Sequence, residues 1–232
     1  VKVKIRRYPQ GAEEFEIDPS QDMTLLELLF TIKESEDPSL TFRSMCRAGI
    51  CGTCAVKLNG KPALACSTWI SGKEEELLIE PLDYFPVIRD LVVDHEGMHS
   101  KLRSFKTWLY PQQENMILQE GTNLKTSKSW ECILCGICDS VCPVLTSTEL
   151  FGGPSALTRV YKHLHDPRNV NRQATNIGIY NLRPDLCTHC MNCSYACPKR
   201  LMPEGLIREE ENLLVELGLL QRQTGGFDFL SF

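Results

Sequence analysis

Residues 132–143 read CILCGICDSVCP, and residues 187–198 read CTHCMNCSYACP. The two stretches form an internal repeat at an offset of 55 residues, matched at all four cysteines and at the closing proline. In each, three thiols crowd into seven positions and a fourth follows after three more residues. Structural zinc usually takes two short knuckles about 12–20 residues apart, because four Zn–S bonds of about 2.3 Å make a compact tetrahedron. One loop that splays three thiolates outward suits a larger object with several irons. C-x2-C-x2-C-x3-C-P is the spacing of bacterial ferredoxins, in which the fourth cysteine serves the other cluster. Two copies in one chain then need each other. The spacing predicts one [4Fe–4S] site from Cys132, Cys135, Cys138 and Cys197, and another cluster from Cys142, Cys187, Cys190 and Cys193.

Working outward, the remaining four of the twelve cysteines lie upstream as Cys46, Cys51, Cys54 and Cys66, spaced C-x4-C-x2-C-x11-C. That is the plant-type spacing that binds [2Fe–2S]. Gly49 and Gly52 in FRSMCRAGICGTC let backbone N–H groups approach cluster sulfurs, since no Cβ stands in the way. Arg43 and Arg47 either offset the cluster's charge or are ordinary surface. Disulfides are a poor explanation of this grouping, because neighbours at i, i+3 close only tiny rings and stabilise little.

The surroundings predict an α+β chain. VKVKI at 1–5 and EEFEI at 13–17 alternate as strands. DMTLLELLFTIKE at 22–34 has helical spacing with Asp22 as N-cap. AVKLNGKPALAC at 55–66 is a hairpin turning at Asn59-Gly60, and ELLIE at 76–80 is a closing strand. Residues 86–109 read as a helix opened by proline and packed between two halves, followed by polar, irregular sequence at 111–128. The predicted division is 1–105 for a [2Fe–2S] domain with its linking helix and 106–232 for a helical domain holding two cubane-type clusters. Further helices are expected at 155–165 and 202–220, the latter with its acidic stretch on a solvated face.

Length, composition and charge narrow the functions. The 232 residues carry a net charge of -5 without a clustered basic face, which argues against nucleic-acid binding. The longest apolar run, LLELLF at 25–30, falls far short of a membrane span. No G-x-G-x-x-G or C-x-x-C-H marks a nucleotide or haem site. HEGMH at 95–99 fits the zinc-protease pattern, but Gly97 weakens the helix it needs and no third ligand is evident, so it reads as a polar helix face. NCS at 192–194 matches a glycosylation site only formally, because Cys193 is a proposed ligand. Three clusters without a substrate site of their own make a wire between partners.

CRAGICGTCAVKLNGKPALAC, LLIEPLDYFPVIRDLVVD, CILCGICDSVCP and CMNCSYACPKRLMP, in that order, resemble the iron–sulfur subunit of succinate dehydrogenase and fumarate reductase. The resemblance covers nearly the whole chain. It implies an N-terminal β-grasp plant-type ferredoxin domain and a C-terminal all-α bacterial ferredoxin-like domain. It also implies a flavoprotein partner carrying FAD and the dicarboxylate site, a membrane-anchor partner, a quinone near the third cluster, and a peripheral place in a membrane complex on the cytoplasmic face of the inner membrane. No catalytic residue falls on this chain. The alternative is the same kind of relay for another flavoenzyme or for a thiol-linked fumarate reductase.

Three departures from that family carry meaning. Members commonly hold [3Fe–4S] at the third site, with a non-cysteine residue where Cys190 stands here. Cys190 therefore completes a predicted [4Fe–4S], and the added thiolate lowers its potential, which suits menaquinone or a further redox subunit. CPVLTSTEL lacks the tryptophans that many relatives carry after the fourth cysteine of the first run. Thr188 stands where relatives often place histidine, with His189 after it. Quinone-contacting roles are therefore not carried over to residues of this chain.

Overall fold

The computed structural model describes residues 1–18, 22–71, 75–104, 108–110 and 127–221. The N-terminal half is a mixed sheet with one long helix. Strand β1 (Lys2–Arg7) pairs antiparallel with β2 (Gly11–Glu16), and its other edge lies parallel to β7 (Glu76–Glu80). The hairpin of β4 (Ala55–Leu58) and β5 (Lys61–Leu64) turns at Asn59-Gly60 and extends the sheet to the order β2-β1-β7-β4-β5. Short strands β3 (Met23–Thr24) and β6 (Trp69–Ile70) pair beside it.

Helix α1 (Leu25–Ser35) buries Leu25, Leu26, Leu28, Leu29 and Ile32 in a core shared with Val3, Ile5, Leu77 and Ile79. Its cap is Thr24, not the expected Asp22. Thr24 Oγ1 accepts the Glu27 N–H at 3.2 Å and Glu27 Oε2 accepts the Thr24 N–H at 2.7 Å, a reciprocal pair that satisfies two otherwise orphaned donors.

The expected helix over 86–109 is realised only in its second half. Val87–Arg89 (β8) and Val92–Val93 (β9) form a small antiparallel pair, and helix α2 runs over Glu96–Ser104. β-branched residues favour the strand pair, and Asp90, at φ 47, makes the turn. The fully buried Asp90 accepts Arg7 Nε at 2.9 Å and the Thr41 N–H at 2.8 Å. Buried Arg7 also meets Glu13 at 2.6 Å and Asp37, so one guanidinium ties β1, β2, the loop after α1 and the β8–β9 turn. Removing one partner of a buried pair leaves an uncompensated charge. Arg7→Ala is therefore expected to cost about 3–5 kcal/mol, seen as a lower unfolding midpoint with cluster content initially unchanged.

The expected division near 105 lies among residues 105–107, outside those described, as do residues 111–126 of the polar stretch. Residues 127–128 of that stretch belong to helix α3 (Ser127–Trp130). Beyond it come α4 (Ile137–Ser140), α5 (Pro143–Ser147), α6 (Pro154–Leu164), α7 (Arg172–Asn181), α8 (Asn192–Ala196) and α9 (Pro203–Glu216). Helix α6 is buried along most of its length between α7, α9 and α2. Helix α2 does bridge the halves, since Lys101 Nζ donates to the Phe151 carbonyl at 3.0 Å.

The acidic stretch of α9 departs from expectation. Glu204, Ile207, Glu210 and Leu214 share one buried face, and Glu210 is fully buried. Burial pushes the Glu210 carboxyl well above its ordinary range.

Candidate functional site

The first loop runs from the end of the α1 layer to β4 and wraps Cys46. Its Sγ accepts N–H groups from Cys51 at 3.3 Å, Ile50 at 3.4 Å and Ala48 at 3.5 Å. Those donors, Ala48 first, bring the Cys46 thiol down to about 6. Gly49 N–H reaches Cys66 Sγ at 3.2 Å, and Cys66 N–H reaches Cys54 Sγ at 3.5 Å. Burial pushes Cys54 up to about 11. Arg43 and Arg47 are both exposed, and Arg47 lies over the Phe30 ring at 4.8 Å.

Gly52 has a further reason to lack a side chain. At φ +72, a Cβ on Gly52 would stand 2.7 Å from Cys135 Cβ and 3.0 Å from Cys135 Cα. The first loop thus lies directly on the backbone of the second. The reverse contact is also a glycine. A Cβ on Gly136, at φ +79, would meet Phe85 Cζ at 2.9 Å and His95 Nε2 at 3.0 Å. His95, the first histidine of HEGMH, lies ahead of α2 and faces this seam. It packs on Phe85 with ring centroids 4.6 Å apart, and burial brings its imidazole down to about 4. Glu96 of the same motif pairs instead with Arg103 and Ser100.

The repeat folds as a repeat. Leu134 and Gly136 have φ of 52 and 79, and their counterparts His189 and Met191 have φ of 52 and 66. Cys142 and Cys197, the fourth thiols, share an extended conformation with ψ of 112 and 114. Glycine is needed only in the first copy, where the N-terminal half presses on it; the second copy carries Met191.

Cys132, Cys135, Cys138 and Cys197 line a single pocket, closed by Ile133, Leu134, Pro198, Leu201 and Pro203. Burial raises Cys135 to about 12 and pushes Cys138 well above the ordinary thiol range. The charge of Cys197 also bears on Cys132 and Cys135. Cys142, Cys187 and Cys193 are likewise raised first by burial, and each feels Cys190. Cys138 feels Cys193, so the two groups are neighbours. Among the described residues, no three His, Cys, Asp or Glu side chains converge tightly enough for a lone metal ion.

The donor set fits iron–sulfur clusters. Four thiols per group, backbone N–H groups aimed at sulfur, and an apolar shell around the second group are what such clusters need. Thr158, fully buried on α6, also lines the pocket of the second group, and among the described residues its Oγ1 has no hydrogen-bond partner.

Cys190 is exposed. Its neighbour His189 is turned inward to α9, with Nδ1 at 2.9 Å from Glu204 and Nε2 at 3.0 Å from Glu211. Burial pushes Glu204 up, yet hydrogen bonds from Arg208 and His189 leave it below its ordinary range. This clasp, the Gly52–Cys135 contact and Thr158 went unread in the sequence, because each joins residues far apart along the chain.

Residues 2–100 match the family model of a 2Fe-2S iron-sulfur cluster binding domain, and residues 128–201 match a 4Fe-4S dicluster domain. The chain is 36% identical over 203 residues to the mitochondrial succinate dehydrogenase [ubiquinone] iron-sulfur subunit 1 of Oryza sativa subsp. japonica, covering 83% of this chain and 71% of that protein. It belongs to the succinate dehydrogenase and fumarate reductase iron–sulfur subunit family. A fumarate reductase (CoM/CoB) subunit of Methanothermobacter marburgensis is 33% identical over 88% of this chain, which spans 42% of that protein. The fold of this family member also matches a chain of the Mycobacterium smegmatis Sdh1 complex, with a TM-score of 0.83, 24% identity, and coverage of 93% of this chain and 96% of that one. The sequence reading of [2Fe–2S] and [4Fe–4S] binding agrees with both family models. No helix among the described residues is long and apolar enough to cross a membrane.

Proposed function

We propose that this chain relays single electrons between the FAD of a flavoprotein subunit and a membrane quinone in a succinate dehydrogenase or fumarate reductase complex. The ligand sets are Cys46, Cys51, Cys54 and Cys66 for [2Fe–2S]; Cys132, Cys135, Cys138 and Cys197 for [4Fe–4S]; and Cys142, Cys187, Cys190 and Cys193 for a third cluster, also [4Fe–4S]. When bound, such clusters take up and give back one electron at a potential set by charge, hydrogen bonds and exposure.

The observation that carries the reading is the order of contact. The first loop touches the second group through Gly52 and Cys135, and the second group neighbours the third through Cys138 and Cys193. The two ends of this series are open. Met45, Ile50 and, three residues past Cys66, Trp69 are exposed at one and Cys190 at the other, while exposed Tyr195 lies beside Lys61 and Pro62 of β5. An apolar exposed rim suits a partner surface. The first end would meet the flavoprotein and the last the quinone and membrane-anchor subunits, with the chain peripheral to the membrane. The sheet with α1 against it supports a β-grasp for residues 1–105, and α3 to α9 support an all-α ferredoxin-like unit for 106–232.

The test is purification of the native complex. A FAD-containing partner that turns over succinate or fumarate, with iron and acid-labile sulfide on this chain, is the expected result. A colourless chain holding zinc and no sulfide would overturn it. The Methanothermobacter relative favours one other reading, a thiol-linked fumarate reductase; fumarate reduction driven by thiols and not by a quinol would select it.

A further inference from the structure

We propose that the Thr158 hydroxyl is a hydrogen-bond donor to the middle cluster and holds that cluster's potential up. The inference rests on the ligand set proposed above, Cys132, Cys135, Cys138 and Cys197.

Two independent observations meet at this residue. Thr158 lines the same pocket as those four thiols, and its Oγ1, buried to 1% exposure of the residue, has no hydrogen-bond partner among the described residues. A threonine inside a helix ordinarily returns its hydroxyl proton to the carbonyl four residues back. Thr158 does not. The other side chains of the wall cannot use that proton, since Ile133, Leu134, Pro198, Leu201 and Pro203 are apolar and Lys199 is itself only a donor. The other hydroxyl on the wall, Ser155, is already committed, donating to Asp139 Oδ2 at 2.6 Å. A buried donor left unmade is costly, so an uncommitted hydroxyl on a residue that lines the pocket of four thiols calls for an acceptor there. Sulfur atoms of a cluster are such acceptors, and hydrogen bonds to them are among the levers that set its potential.

The electrostatic sign is fixed. Reduction adds one electron and one negative charge to the cluster, while the hydroxyl proton stays on Oγ1. A fixed donor in a dry, low-dielectric pocket stabilises the more negative form more than the less negative one. Loss of the hydroxyl therefore favours the oxidised form.

The experiment is an EPR-monitored redox titration of the assembled protein carrying T158V, which keeps the shape and loses the hydroxyl, beside T158S, which keeps the hydroxyl. At a fixed applied potential, T158V is expected to lower the reduced-to-oxidised ratio of the middle cluster about tenfold, a fall of about 59 mV in its midpoint, with T158S near wild type and the other two clusters unmoved. Equal midpoints for T158V, T158S and wild type would overturn the proposal. If T158V fails to take up clusters, T158S and T158A carry the same comparison, and equal midpoints in that pair overturn it too. Iron and sulfide analysis of the wild-type chain separates this from the parent reading: a chain without a four-iron signal sinks the ligand set, whereas a four-iron signal indifferent to residue 158 sinks only the role of Thr158.

Discussion

Cys190→Ala is expected to strip one iron from the third cluster and leave the fold in place. The oxidised variant should show an intense three-iron EPR signal that the wild-type protein lacks, with iron content lower by roughly one atom in about ten per chain. The internal repeat gives the reason. Cys190 is the counterpart of Cys135, 55 residues on, and the flanking residues of both share the same left-handed backbone turns. One backbone path aims both thiols the same way, and Cys135 lines the pocket of its own group. Cys142, Cys187 and Cys193 all feel Cys190, which places it among them. Its exposure has a simple cause. Cys135 is covered by Gly52 of the N-terminal half, and among the described residues Cys190 has no such cover. With one thiolate fewer, the variant's third cluster should also titrate at higher potential. A stoichiometric three-iron signal from anaerobically oxidised wild type would show that Cys190 holds no iron.

Much of this was legible in the sequence because the signals are local. Thiol spacing, the Asn59-Gly60 turn, the alternation of β1 and the ELLIE strand each depend on residues within one loop or one strand. What escaped is non-local or competes with a local signal. Pro86 followed by periodic apolar residues looks like a helix start, but the Arg7–Asp90 pair across the sheet fixes a strand turn there. The Glu209–Glu211 run looks like a solvated face, but helix α9 lies so close along α6 that the buried face takes Glu204 and Glu210 with it. Gly52 reads as a residue whose missing Cβ lets a backbone N–H approach the first cluster's sulfurs. Only the placement of the two halves shows that its missing side chain is what Cys135 occupies.

Gly52→Ala is accordingly expected to be among the most damaging glycine-to-alanine changes at the described residues. The added carbon would meet Cys135 Cβ at 2.7 Å and its Cα at 3.0 Å, and neither atom is the end of a flexible side chain that could swing aside. Residue 52 also needs its left-handed backbone, which an L-residue adopts at a cost of roughly 1 kcal/mol. The two loops must separate, or one must deform at Cys135, a thiol of the proposed second ligand set. Both outcomes widen the gap an electron has to cross between the first and second groups. The signature is specific. Each cluster should still assemble, while the spin–spin coupling between the first and second weakens and transfer from the flavin side slows by at least about tenfold, the equivalent of 1.4 kcal/mol in the barrier. Gly136→Ala tests the same seam from the other side, where the new methyl meets Phe85 and His95. Ring atoms can tilt where a backbone cannot, so the Gly136 variant should be the milder of the two. Unchanged coupling and unchanged transfer in Gly52→Ala would mean that electrons do not pass between the halves at this contact.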